Sequence, residues 1–424
     1  VLQALSRLLG VSEFLWEDFL RLQHDNLFPV LADLEGMKCR RSQQELRRGL
    51  EQELSGCESS EARVHCLNQF KDRQMFLADM RHVVLQDRPF GDFAEELSDV
   101  TEVVIQQAIA LCCGELTLKL GSRPPGRFAV CGLGKFGGRE LGFASDIELL
   151  CVYDGPVSDE DTSLGEYCRR MVERLLRMIR SRRDGIFQID MRLRPHGQAG
   201  PLAVSRGAFA EYFAPEGPAW PFERQALVKL RAVGGDARLG KQVESLRNES
   251  IYADEHFDVT AMRAMRERQV RQLVSPGTVN AKLSPGGLVD VEYLVQGLQM
   301  AHGYRCAALR TTNTLEAIEA LVALGQLSVQ QGAVLQETYV FHRRLIDALR
   351  MVRGDARDLA VPGIGTREFL YLARRLGITD GPDALAGSAG GATHCRSGGA
   401  GSTACAHQNF RKSVALQFWK KYFL

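Results

Sequence analysis

The sequence predicts an α+β fold, with a mixed-sheet core set between an N-terminal helical region and a C-terminal helical bundle. Three textures carry that reading. Apolar residues recur at helical spacing through the first 115 residues, short runs alternate apolar and polar residues between about 126 and 233, and helical spacing returns after about 250. A chain of 424 residues is too long for one compact core. It divides on this reading into a helical region at 1–115, a core at 116–249, a helical bundle at 250–380, a Gly/Ser-rich linker at 381–408 and a short terminal helix at 409–424.

The elements follow in order. Glu13-Phe14-Leu15-Trp16-Glu17-Asp18-Phe19-Leu20 and the charged stretch Ser42 to Leu54 have helical periodicity. Ser98 or Asp99 is suited to cap a further helix, with Glu102 adding negative charge to its first turn. Strands are expected over 127–133, 147–153, 187–193 and 226–233. Between the second and third lies an amphipathic helix, 166–182, whose Tyr167, Met171, Leu175, Met178 and Ile179 form one apolar stripe. Helices are expected again over 261–274, 288–301, 314–324 and 334–352. From Ala386 to Ser402 small residues dominate, so the segment cannot bury enough surface to offset its ordering entropy and is expected to be disordered.

Composition excludes several classes. An apolar content of 45% with 25% charged residues is that of an ordinary globular protein. A net charge of +1 supplies no electrostatic footprint for nucleic acid or for a membrane surface. No run approaches 18 uninterrupted apolar residues, and no signal peptide opens the chain. The first residue is Val, as expected of a processed or truncated piece of something longer. Of the 11 cysteines, Cys112, Cys113, Cys131 and Cys151 sit in apolar runs and none forms Cys-x-x-Cys, which fits reduced thiols in a cytoplasmic protein.

The densest chemistry runs from Gly134 to Val152. A glycine pair, Gly137-Gly138, is followed by Asp146-Ile147-Glu148 at the head of an apolar run. On a strand, Asp146 and Glu148 project from one face while Ile147 and Leu149 project from the other. Two carboxylates so placed are a natural ligand set for Mg²⁺, which prefers oxygen and keeps room for a nucleotide's phosphates. Glycines upstream let a backbone approach a polyphosphate. Phe187 to Pro195 adds Asp190, Arg192 and Arg194 on one polar face, which is either an acid for the metal with two guanidinium forks for phosphate or a surface Asp–Arg pair on an edge strand. Lys135 and Arg139 flank the glycine pair and could reach a phosphate or belong to a solvated turn. Ser145 could bond a phosphate or cap its own turn. Asp290 and Glu292 stand at a helix start, where acids suit the dipole, and a direct metal role is the alternative. His196 has no catalytic partners around it, and a structural role is expected.

Residues 132–149 resemble the signature of glutamine synthetase adenylyltransferases, members of the DNA polymerase β-like nucleotidyltransferase superfamily. Three further blocks follow in register: Asp190 to Pro195 with Gly197 to Leu202, Glu223 to Arg231, and Gly286 to Gln296. The resemblance spans roughly residues 1–380, and Glu148 stands where the family more often has Asp. It implies a polymerase β-like core and transfer of AMP from ATP to a tyrosine of glutamine synthetase, a control on nitrogen metabolism. It implies that Asp146 and Glu148 hold two Mg²⁺ on the triphosphate, while Asp190 bridges to the nucleophile-side metal and helps deprotonate the hydroxyl. With phosphate as nucleophile the same site removes AMP. Family members typically carry two such catalytic halves, and this chain carries one. Arg192, Arg194 and Arg224 are the cations that could position either anion, and the Asp290-Val291-Glu292 block, which the resemblance places facing the core where it could contact substrate, leans towards attachment. A small nitrogen-signalling protein is the further partner implied. Two alternatives are uridylyl transfer to such a protein and a non-catalytic regulatory half that binds nucleotide or protein.

Overall fold

A computed structural model describes residues 39–84, 88–121, 126–155, 161–181, 187–253, 257–354, 356–363 and 365–376. The helical stretch expected around residues 13–20, the linker at 381–408 and the terminal helix at 409–424 lie outside these residues. The described chain forms two units, 39–257 with 299–317, and 258–298 with 318–376.

The first unit opens with three helices. Helix α1 (Gln43–Ser55) starts in a capping box, where Ser42 accepts the Glu45 N–H and Glu45 accepts the Ser42 N–H. Leu46, Leu50 and Leu54 form its buried stripe. Helices α2 (Ser60–Val84) and α3 (Asp92–Leu120) follow. The cap expected at Ser98 or Asp99 is overturned, because α3 already runs through both. The Ser98 hydroxyl donates to the Ala94 carbonyl one turn back, and Asp99 binds Arg40 and Arg139. Among the described residues α3 alone is long and apolar enough to cross a membrane. Its Val100, Val103, Val104, Ile105, Ala108 and Cys112 are buried inside the unit, so its hydropathy is accounted for by the core.

A five-stranded mixed sheet forms the centre. Its elements are β1 (Arg127–Gly132), the single turn α4 (Gly134–Gly137), β2 (Ile147–Asp154), α5 (Asp161–Met178), β3 (Ile189–Asp190), β4 (Ala203–Ser205), α6 (Arg206–Phe213), α7 (Pro221–Ala226), β5 (Arg231–Gly235) and α8 (Ala237–Ile251). The order is β3-β2-β1-β5. Strand β1 is antiparallel to β2 and β5, whereas β3 and then β4 lie parallel along β2. The stripe expected on α5 is buried as expected, from Tyr167 through Ile179.

Two strand expectations are corrected. Only Ile189 and Asp190 of 187–193 join the sheet, because Arg194 gathers the carbonyls of Met191, Gln198 and Gly200 and folds the chain away. Residues 221–229 are helical, with Pro221 at the first helical position and Glu223 accepting the Trp220 N–H, so β5 begins only at Arg231. Strand β4 was not foreseen.

One sheet face, with Ala129, Cys131, Leu150, Val152 and Val204, packs against Phe209 and Phe213 of α6 and Leu239 and Val243 of α8. Burial pushes the thiols of Cys112 and Cys131 up to about 12, and that of Cys151 higher still, as expected of reduced core cysteines.

The second unit is helical: α9 (Val259–Leu273), α10 (Leu288–His302), α11 (Thr314–Ala323), α12 (Val329–Arg353) and α13 (Arg367–Arg375), with the ends of α10 and α11 belonging to the first unit. Asp290 is buried here. It accepts Arg266 Nε at 2.5 Å and the Gly286 N–H, so its carboxylate ties the start of α10 to α9.

Candidate functional site

The site grows from the head of β2. Ile147 and Leu149 are buried on one face, and Leu150 and Val152 enter the core on the other. Glu148 shares the face of Leu150 and Val152 one step earlier, and exposed Asp146 precedes it. The two-residue strand β3 then places Asp190 opposite Glu148 in a parallel ladder. Paired strands lie about 4.8 Å apart, so Glu148 and Asp190 share one face of the ladder.

Each carboxylate has a partner. Asp190 accepts two hydrogen bonds from Arg192 Nε, at 3.0 and 2.9 Å, one from its Nη2 at 2.6 Å, and one from the Arg192 N–H at 2.8 Å. Burial alone would raise the Asp190 pKa. The bonds and charge of Arg192, with the charge of Arg194, outweigh that and hold it below its ordinary 3.8. Arg192 is pushed up in turn, first by its hydrogen bonds to Asp190 and also by the charges of Asp146 and Glu148. Its side chain is 65% exposed, so this guanidinium faces both the acids and solvent. Glu148 lies over Gly134, where a Cβ would come within 1.3 Å of its Oε2, and Gly134 has φ +50°. Only glycine leaves room for that carboxylate. Among the described residues no three His, Cys, Asp or Glu side chains are drawn into one metal-holding group. Glu148 and Asp190 share a register, and Asp190 is turned to Arg192.

The other cations of the motifs are committed to the frame. Arg139 pairs with Asp99 at 2.8 Å and Glu102 at 3.8 Å on α3. Arg194 is 9% exposed and donates to three carbonyls of its own turn. Arg224 donates to the carbonyls of Phe213, Ala214, Pro215 and Gly217. Ser145 accepts the Gly142 N–H, the turn-capping alternative. Lys135 sits half-buried on α4, directly after Gly134. His196 has φ 61° and meets the Tyr212 ring edge-on at 4.7 Å, while Tyr212 donates to Glu223 at 3.0 Å.

Gly137 and Gly138 are buried. Their N–H groups donate to Leu133 and Gly134 carbonyls within the turn. A Cβ on Gly137 would meet the Lys229 carbonyl at 1.8 Å, and one on Gly138 the Thr312 carbonyl at 2.9 Å. The pair is glycine because other backbone presses against it. The sequence reading missed this neighbourhood, which involves Lys229, Arg231 and Thr312 to Thr314. Lys229 and Arg231 lie in the Glu223 to Arg231 block, where a lysine interrupts an otherwise apolar run, but nothing local ties them to the glycine pair.

Comparison with known proteins identifies the family. Residues 2–246, more than half of the chain, match the family model described as glutamate-ammonia ligase adenylyltransferase, and residues 260–389 match that of GlnD PII-uridylyltransferase. Three relatives are named bifunctional glutamine synthetase adenylyltransferase/adenylyl-removing enzyme. That of Stenotrophomonas maltophilia K279a is 36% identical over 63% of this chain and 29% of its own length. That of Mycobacterium leprae is 32% identical over 65% and 28%. That of Shewanella loihica is 29% identical over 97% of this chain and 43% of its own length. The chain thus spans less than half the length of these relatives. With its glycine turn, its Asp146/Glu148 strand and its match over 2–246, the chain belongs to the glutamate-ammonia ligase adenylyltransferase family.

Proposed function

We propose that this chain is a Mg²⁺-dependent nucleotidyltransferase with a polymerase β-like core, which moves AMP between ATP and a tyrosine of glutamine synthetase. The observation that carries the reading is the pairing of Glu148 with Asp190, beside Asp146, in a member of this family. Carboxylates are hard oxygen donors, and this set fits a hard divalent cation. Asp146, Glu148 and Asp190 would hold the metal, which when bound supplies positive charge to the triphosphate and to the attacking and leaving oxygens. Asp190 is assigned to help deprotonate the tyrosine hydroxyl, beside the metal it would share with Glu148. Arg192 and Lys135 are assigned to the phosphate oxygens. Gly137, Gly138, Ser145, Arg139 and Arg194 are assigned to holding the loops that carry them. The same reading puts the work in the cytoplasm, where ATP and glutamine synthetase meet, with a small nitrogen-signalling protein as regulatory partner.

A second reading, uridylyl transfer to a small signalling protein, draws on the match over 260–389. The test offers the full chain Mg²⁺, labelled ATP or UTP, and either unmodified glutamine synthetase or a small signalling protein. A second arm offers adenylylated glutamine synthetase with phosphate. Label from ATP on glutamine synthetase, lost on chelation, is the expected result, with attachment faster than phosphorolysis. Label from UTP on the small protein moves the assignment to the second reading. No transfer in any arm overturns both.

A further inference from the structure

Residues 312–314 return to the glycine turn from 174 and 175 positions away along the chain. Thr312 Oγ1 donates to the Gly137 carbonyl at 3.0 Å, and Asn313 Nδ2 donates to the Gly138 carbonyl at 3.1 Å. The Thr314 N–H donates to Glu140 Oε1 at 2.6 Å. Lys229 Nζ closes the ring, donating to Glu140 Oε2 and to Thr314 Oγ1, each at 2.8 Å. Arg231 Nε adds a second bond to the Gly137 carbonyl at 3.0 Å. Glu140, Lys229 and Thr314 are 3%, 5% and 2% exposed.

A buried ion pair is weak as a source of stability, since apolar residues of similar volume often serve as well. Its bonds, however, fix direction. Here every one of them acts on the rear of the turn, whose front residue, Gly134, meets Glu148. Resting on the function proposed above, we propose that Lys229, Thr312, Asn313 and Thr314 are positioning residues for nucleotidyl transfer, a clamp on the glycine turn that sets where Glu148 stands. None of them is assigned a contact with nucleotide or metal. Glycine at 137 and 138 is the counterpart of the clamp, because it lets the backbones of Lys229 and Thr312 close onto the turn.

The test compares Thr314→Val and Thr314→Ser in the full chain, with Thr312→Val as a second probe at a half-buried position. The valine variants are expected to lower kcat for AMP transfer about tenfold or more, with the KM for glutamine synthetase unchanged. Amide exchange at residues 137–140 should rise about tenfold while the global unfolding midpoint moves little. Thr314→Ser, which keeps the hydroxyl, should behave as wild type. Wild-type rate and exchange in both valine variants would overturn the clamp, as would an equal loss in Thr314→Ser. If Thr314→Val does not fold, Thr312→Val decides on the same readouts. A wild-type chain without any transfer would sink the functional reading alone, since exchange at 137–140 still tests the clamp.

Discussion

The two sides of the site are held very differently. Behind the glycine turn, Glu140, Lys229 and Thr314 are almost fully buried, and the carbonyls of Gly137 and Gly138 take side-chain donors. In front, Asp146 is exposed, and Asp190 is held by an arginine that is itself 65% exposed. The arginines repeat the contrast within one block, since Arg192 faces the acids while Arg194, two residues on, is buried among carbonyls. The rear is closed by buried side-chain bonds, whereas the front presents Asp146 and Arg192 to solvent.

That contrast can be broken from either side, and the front should give the largest effect. Asp146→Asn or Asp190→Asn keeps shape but removes charge, and AMP transfer is expected to fall about 10³-fold with folding intact. Label transfer and a thermal scan check this, and near wild-type turnover would remove the acid from the site. The rear should fail in stability instead. Lys229→Met leaves Glu140 charged and buried, an expected cost of about 3–5 kcal/mol by urea unfolding. A cost under about 1 kcal/mol would mean the pair does not brace the turn.

The junction of the two sides is Gly134. Gly134→Ala brings a Cβ onto Glu148 at a positive φ, and should lower transfer about 10²-fold. Unchanged kinetics would separate Glu148 from the turn. The smallest effect concerns pH. Burial raises the Asp190 carboxyl, but Arg192 more than offsets this and leaves it below 3.8. A depressed folded value contributes stability that is complete above about 3.8 and is lost as pH falls through the folded value. Arg192→Gln should therefore move the carboxyl titration of Asp190 upward, read by carbon NMR on labelled aspartate. An unmoved midpoint would deny Arg192 its hold on Asp190.

Much of the carboxylate face was legible in the sequence because alternation on a strand assigns faces with no tertiary information. Glu148 and the apolar residues of β2 follow from it directly, whereas Asp146 precedes the strand. The helices with long stripes, such as α5, were legible for the same reason. The glycine turn was not, since a glycine pair reads the same whether a ligand or another backbone approaches it. Only the carbonyls of Lys229 and Thr312 decide that. Arginine roles were equally hidden. Arg192 and Arg194 share a polar face in the sequence, and a local turn drawn together by Arg194 itself separates them. The strand expected at 226–233 failed where a proline and a capping glutamate, Pro221 and Glu223, set a helix first.

The distance along the chain between Glu140 and Thr314 also has a meaning in time. The two are 174 residues apart. At about 5–20 residues per second, roughly 9–35 s pass on the ribosome between the synthesis of one and the other. Once residue 190 is made, Asp146, Glu148 and Asp190 are all present, yet the partner that Glu140 needs at its Oε1 does not exist. A nascent chain stalled between residues 231 and 312 would carry every candidate catalytic acid, with Lys229 and Arg231, and lack Thr312, Asn313 and Thr314.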